Sequence, residues 1–208
     1  MNLDRQLAEG ARALGRDLDP PARDRLLAYQ RLIGRWNQVH NLTAIRDPSQ
    51  MVTAHLLDSL AVLPHLGEPS ALADVGSGAG LPGVALAIAR PALPVTVLDA
   101  NQKKATFLEQ AKVELGLASL EVVCERVERW RPAQAFEAVI SRAFAALADF
   151  VSLAGHLLAP GGRMLAMKGV NPVDEIARLP RTHRVDQVIA LHVPGLDAER
   201  HLVVIRAA

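Results

Sequence analysis

The stretch Ala73-Asp74-Val75-Gly76-Ser77-Gly78-Ala79-Gly80-Leu81-Pro82-Gly83 limits what this chain can fold into more than any other. Four glycines follow the apolar run Ala71-Leu72-Ala73 and precede apolar residues at helical spacing. That order reads as a strand, a tight loop and a helix start, where backbone without side chains lets a ligand approach closely. The next expected strand, Val95-Thr96-Val97-Leu98, ends on Asp99, an acid that can accept hydrogen bonds from ribose hydroxyls. Together the loop and the acid point to a nucleoside-containing cofactor.

The rest of the chain fits an α/β reading. Strands are expected at 71–75, 94–99, 120–124, 137–141 and 163–168, with helices near 82–90, 101–116 and 144–158. Strands alternating with helices imply βαβ units and a parallel sheet covered on both faces. Pro160-Gly161-Gly162 is expected to end a helix and turn into the fifth strand, and 171–179 to form a short helix. Segments 185–193 and 202–205 read as an antiparallel pair. The expected whole is a mostly parallel seven-stranded sheet with an antiparallel C-terminal strand.

Residues 1–69 read as a helical region placed before a cofactor-binding domain at 70–208. Asp19-Pro20-Pro21 and Asp47-Pro48 are cap-and-proline helix starts. Leu26, Leu27, Leu32, Ile33, Trp36 and Val39 give an apolar stripe at helical spacing, and Met51, Val52, His55, Leu56, Ser59, Leu60 and Leu63 give another.

Composition excludes several classes. At 208 residues and 50% hydrophobic, the chain suits one compact domain or one domain with a helical addition. The start has neither the basic flank nor the apolar stretch of a signal peptide, and no apolar run suits a membrane span, so a cytoplasmic location is expected. A single cysteine, Cys124, excludes an internal disulfide or a cysteine metal cluster, and no metal site is expected. The formal net charge of +1 is balanced along the chain, so any nucleic-acid contact must come from local clusters.

Two ligand classes compete for the glycine loop. Gly78-Ala79-Gly80-Leu81-Pro82-Gly83 matches the GxGxxG dinucleotide pattern. In that pattern the first glycine follows the strand directly, whereas here Asp74-Val75-Gly76 comes first. S-adenosylmethionine has no pyrophosphate and carries a cationic amino-acid end, for which Asp74 supplies a negative charge or a water-bridged acceptor. A packing role for the glycines is the plain alternative. Other strand ends add Arg126-Val127-Glu128, Ser141-Arg142-Ala143-Phe144 and Lys168-Gly169. Glu128 reads as an adenosine contact or a surface acid. Arg142 and Lys168 read as phosphate clamps or as strand-end salt bridges.

Missing motifs narrow the acceptor. Cytosine C5 methylation needs a nucleophilic cysteine, and Cys124, beside Val122 and Val123, reads as core packing. The Asn/Asp-Pro-Pro-aromatic loop that holds exocyclic amines is replaced by Ser141-Arg142-Ala143-Phe144. A ring nitrogen such as guanine N7 presents a lone pair already and needs no general base. Orientation and desolvation then suffice, and no catalytic acid or base is nominated.

In combination these motifs resemble the RsmG (GidB) family of bacterial 16S rRNA guanine-N7 methyltransferases. The likeness rests on Trp36-Asn37, Asn41-Leu42-Thr43, His55 with Asp58-Ser59-Leu60, the glycine loop, Leu98-Asp99, Lys103-Lys104 with Phe107-Leu108, Arg126-Val127-Glu128, Ser141-Arg142-Ala143, Lys168-Gly169 and residues 200–205. It covers roughly residues 20–206. Ala100 departs from the serine that many relatives carry.

The resemblance implies a class I Rossmann-like fold using S-adenosyl-L-methionine. Gly76, Gly78 and Leu81 would line the donor, Asp99 would meet the ribose, Val127 and Glu128 the adenosine, and Arg142 would close the pocket. The acceptor would be one guanine of 16S rRNA (527 in the usual ribosomal numbering), within the 30S subunit or an assembly particle. No obligate protein partner is implied. Lys103, Lys104, Arg142, Lys168 and Arg200, joined by Arg12, Arg16, Arg31, Arg35 and Arg46, would face RNA. Trp36 reads as core or as a stacking platform, and Asn37, Asn41 and His55 as braces over the donor site. A nicotinamide-dependent oxidoreductase and a non-catalytic ribosome-assembly factor stay open as alternatives.

Overall fold

A computed structural model describes residues 2–142, 144 and 146–208; Ala143 of the Ser141-Arg142-Ala143 motif therefore lies outside the described residues. Helices α1 (Leu3–Ala13) and α2 (Pro20–His40) open the chain. The side chain of Asp19 accepts the Ala22 N–H at 2.7 Å and so caps α2, as its sequence implies. Helix α2 ends on Asn41 in the left-handed conformation (φ 46°). Asp47 caps α3 (Pro48–Met51), accepting the Gln50 N–H at 2.8 Å.

That third helix then departs from its expected regular course. A π-helical turn, Val52–Leu57, interrupts it before α4 (Asp58–Leu60). The wider turn shifts the register of the side chains beyond it, and the 3.6-residue periodicity gives no sign of it.

The sheet comprises β1 (Leu72–Val75), β2 (Val95–Leu98), β3 (Leu120–Val123), β4 (Phe136–Ser141), β5 (Leu158–Lys168), β6 (His183–Ala190) and β7 (His201–Ala207). Its order is β3-β2-β1-β4-β5-β7-β6. The first five strands run parallel and β7 is antiparallel, as expected; it lies between β5 and β6. The fifth strand begins earlier than the sequence suggests. Leu158 already pairs with Phe136, and Pro160-Gly161-Gly162 forms a bulge before pairing resumes at Arg163 opposite Ala138. Gly161, at φ +78°, supplies the bend.

Side chains alternate between two cores across this sheet. Leu72, Val97, Ile140, Leu165 and Leu202 face α1, α2, α5 (Gly83–Ala89) and α6 (Gln102–Glu114). Ala73, Val75, Val139, Met164 and Val203 face α7 (Leu147–Ala154). The helical region is continuous with the first core: Leu26, Tyr29 and Ile33 pack with Val84 and Phe107. Trp36 packs against that core, its ring 5.5 Å from Phe107 edge-on. Val39, counted in the same stripe, is instead 75% exposed in the last turn of α2. A short helix, α8 (Val173–Ala177), follows β5. No helix among the described residues is long and apolar enough to cross a membrane.

Candidate functional site

Strand order reverses between β1 and β4, where an open α/β sheet places its ligand crevice beyond the carboxyl ends of the strands. The glycine loop lies at that end. Gly76, Gly78 and Gly80 take φ values of +70°, +60° and +81°, which L side chains rarely adopt. The glycines divide between open backbone and close packing. A Cβ on Gly78 would meet nothing nearer than the Gly76 carbonyl at 4.0 Å, so bare backbone faces outward there. A Cβ on Gly83 would fall 2.6 Å from Val97 Cγ1 and 2.8 Å from Asp74 Oδ2, so that glycine serves packing.

Asp74 is wholly buried beneath this loop. Its Oδ2 accepts the Gly83 N–H at 2.8 Å at the start of α5, and its Oδ1 has no hydrogen-bond partner among the described residues. Burial pushes its carboxyl up to about 7, against the opposing pull of the Gly83 N–H and of Arg142. An orphaned buried carboxylate oxygen under an open glycine backbone fits a ligand carrying positive charge. Leu81 is packed into the first core, so its side chain shapes the loop from behind.

Asp99 stands beside the loop at the end of β2, nearly buried. Its Oδ2 accepts the Gly78 N–H at 2.9 Å and lies 3.6 Å from Lys104 Nζ, while Oδ1 accepts the Asn101 N–H at 2.9 Å. Each oxygen keeps lone-pair capacity for a diol. Lys103 is exposed in the first turn of α6. Val127 and Glu128 sit in the turn after β3. Val127 packs against the second core, and Glu128 is exposed, 3.6 Å from Arg126. Cys124 corrects its expected core role. It lies past the end of β3, exposed, and its thiol donates to Gln102 Oε1 at 3.4 Å.

Tyr29 ties the helical layer to the loop. Its buried hydroxyl donates to the Ala79 carbonyl, and burial raises its pKa well above the usual phenol value. The interior of α2 thus holds the outer turn of the glycine loop, a contact that no local sequence signal announces.

The cations Arg142, Lys168 and Arg200 converge on one cavity of about 370 Å³, lined also by Ile45, His55, Asp58 and Met167. At its centre stands Asp58, buried at 1% exposure, which sequence reasoning noted only as part of a motif. Its Oδ2 accepts from Arg142 Nη1 at 3.1 Å and its Oδ1 from Arg200 Nε at 2.9 Å. Arg142 also donates to the Ala54 carbonyl within the π-helical turn, at 3.3 Å. Lys168 donates to Glu175 Oε2 at 2.8 Å and to the Phe144 carbonyl at 3.2 Å. The salt-bridge reading therefore holds for Arg142 and Lys168, and both still line the cavity.

A relay braces this wall. Asn37 Oδ1 accepts the Thr43 N–H at 2.9 Å, and Thr43 Oγ1 meets His55 Nε2 at 2.9 Å. Burial lowers the His55 pKa, and nearby Arg142 lowers it further. Asn37 and His55 are thus joined through Thr43, while Asn41 acts as the left-handed end of α2. The remaining arginines divide. Arg31, Arg35 and Arg46 line a separate groove. Arg12 sits 3.8 Å from Asp17, and Arg16 donates to the Leu63 carbonyl. No group of three or more metal-ligating side chains is found among the described residues.

This strand order, with the glycine loop after β1 and an acid after β2, defines a Rossmann-like fold of the class I methyltransferase type. The chain belongs to the GidB family, described as rRNA small subunit methyltransferase G, whose model it matches over residues 22–203. It is 59% identical over 203 residues to ribosomal RNA small subunit methyltransferase G of Aromatoleum aromaticum, covering 96% of each chain. The homonymous protein of Nitrosospira multiformis is 54% identical over 215 residues, covering 100% of this chain and 99% of that one. A solved S-adenosylmethionine-dependent methyltransferase from Thiobacillus denitrificans, in complex with S-adenosyl-L-homocysteine, shares the fold. Its TM-score is 0.53 at 12% identity, over 85% of this chain and 97% of that one. Membership of a methyltransferase family decides between the donor classes that the glycine pattern left open.

Proposed function

We propose that this protein transfers a methyl group from S-adenosyl-L-methionine to N7 of one guanine in 16S rRNA, acting in the cytoplasm on the 30S subunit or an assembly particle. The observation that carries the reading is the convergence of Arg142, Lys168 and Arg200 on one cavity at the carboxyl end of the sheet, in a member of the GidB family. The division of labour follows the chain. Residues 70–208 hold the donor, and residues 1–69 cover it and help to bind RNA.

When bound, the cofactor supplies an electrophilic methyl group on a cationic sulfur. Gly76 and Gly78 offer it bare backbone, Asp99 accepts from the ribose hydroxyls, and Val127 and Glu128 bound the adenosine. Asp74, buried under the loop and raised to about 7, carries only part of a negative charge near neutral pH and ties the start of α5 through the Gly83 N–H. Lys103 and Lys104 extend the positive surface beside Asp99.

The acceptor nitrogen already carries its lone pair, so no side chain is required to remove a proton before attack. Arg142, Lys168 and Arg200 hold the backbone phosphates of the target nucleotide. Asp58 and Glu175 fix where those cations stand, and His55, neutral at pH 7, adds no competing charge. Ile45 and Met167 contribute apolar walls that exclude water. The rate gain is therefore one of orientation and preorganised electrostatics. Arg142→Ala should reduce methyl transfer at least 100-fold, about 2.7 kcal/mol in the barrier, while the melting temperature moves by only a few degrees. A fully active variant would remove Arg142 from the mechanism.

A further inference from the structure

The connection after α2 separates two concavities. Ile45 lines the cavity that holds Arg142, Lys168 and Arg200. The adjacent Arg46 lines a groove on the helical layer, with Arg31, Arg35 and Gln38 along its sides and Met51 and Gln30 toward its floor. The groove has a volume of about 640 Å³, within the range that accommodates a nucleotide. The groove and the cavity thus share neighbouring residues of one segment, Ile45 and Arg46.

Its charge is unbalanced. Arg35 pairs with Glu114, but Arg31 and Arg46 are exposed and make no ion pair among the described residues. The nearest acid in sequence, Asp47, accepts the Gln50 N–H at the start of α3 and does not line the groove. The floor holds a further polar reserve. Gln30 is buried, its Nε2 meets only the sulfur of Met51 at 3.5 Å, and its Oε1 has no hydrogen-bond partner among the described residues. Buried amides normally find better partners than a thioether.

The geometry points to a second RNA subsite: this groove holds the sugar–phosphate backbone of nucleotides flanking the target guanine, in the same loop of RNA. Planar guanidiniums without carboxylate partners suit phosphate oxygens. Loop RNA is held through such backbone contacts while its exposed base is presented elsewhere. The strand would cross over the segment at Ile45–Arg46, with Arg31 and Arg46 on its phosphates and Arg35 released from Glu114 as it arrives. The inference rests on the proposed RNA-binding role of the neighbouring cavity, yet it can be read from binding alone.

The test compares wild type with the double variant Arg31→Ala/Arg46→Ala in filter binding to 30S subunits lacking the modification, between about 50 and 200 mM KCl. Losing two phosphate contacts should weaken binding several-fold at low salt and reduce the slope of log K against log salt by roughly 1.4. Donor affinity and melting should hold. Arg31→Lys/Arg46→Lys should restore the slope, because the charges return. Arg181→Ala/Arg184→Ala, which removes two exposed arginines at the far edge of the sheet, should leave the slope unchanged. An unaltered slope and affinity in the first variant, or an equal loss in the last, would overturn the subsite. A wild-type protein that binds subunits but methylates nothing would count against the proposed activity and leave the groove measurement valid.

Discussion

Asp58 is the side chain on which the cationic wall depends. Its carboxylate sits 3.1 Å from Arg142 and 2.9 Å from Arg200, whose side chains are 28% and 26% exposed. At about 3 Å and an effective dielectric of about 20, each pair attracts by roughly 5 kcal/mol before desolvation is subtracted. Removing one partner of a buried pair costs about 3–5 kcal/mol. Partial exposure lets both guanidiniums rehydrate, so Asp58→Asn should cost about 2–3 kcal/mol. In a chain of 208 residues that corresponds to a fall in melting temperature of roughly 4–12 °C. The kinetic signature is separate from this loss. With two cations no longer neutralised, RNA affinity should hold or rise and its salt dependence should steepen. The guanidiniums would no longer be fixed, and kcat should fall by about 100-fold, the scale expected for misplacing a positioning group. Thermal melting and single-turnover methylation against RNA concentration read both effects. A variant that melts lower but keeps kcat within twofold would reduce Asp58 to a structural role. A raised KM with unchanged kcat would refute the positioning argument outright.

Three further perturbations follow from the loop. Gly83→Ala would drive a Cβ to 2.6 Å from Val97 Cγ1 and 2.8 Å from Asp74 Oδ2, so about 1–3 kcal/mol of stability should be lost by denaturant titration. Asp74, raised from 3.8 to about 7, binds its proton more tightly in the folded state, so stability present below about pH 4 declines as pH rises toward and through 7. Asp74→Asn cannot titrate, and the difference between its melting temperatures at pH 5 and pH 8 should be smaller than that of wild type; equal differences would contradict the burial argument. Tyr29→Phe removes the hydroxyl that holds the Ala79 carbonyl, which should cost about 1–2 kcal/mol and weaken donor binding measured by calorimetry. Unchanged donor affinity would show that the loop keeps its shape without α2.

What the sequence revealed depended on how local each signal was. The glycine loop, the caps at Asp19 and Asp47, and the alternation of strands and helices are short-range features, and each reappears in place. The antiparallel β7 was legible because no long helix separates it from β6. The start of β5 was not, since Pro160-Gly161-Gly162 signals a turn and is in fact a bulge within a strand. Within the site, basic residues at strand ends were easily read as candidates, but their partners were distant. Arg142 and Arg200 meet at Asp58 across 84 and 142 residues of chain, and the π-helical turn that supports Asp58 leaves apolar spacing outwardly regular. The Tyr29–Ala79 contact spans 50 residues and was equally invisible. Cys124 misled because its apolar neighbours belong to the strand that ends just before it.

The most direct measurement is to incubate the protein with methyl-labelled S-adenosylmethionine and 30S subunits lacking the modification, then map the labelled nucleoside by mass spectrometry. The account predicts one N7-methylguanine, confined to a single position of 16S rRNA and absent when the donor is omitted. Label on another base or on an exocyclic amine would contradict the acceptor chemistry, and failure to bind the donor at all would contradict the account of the glycine loop.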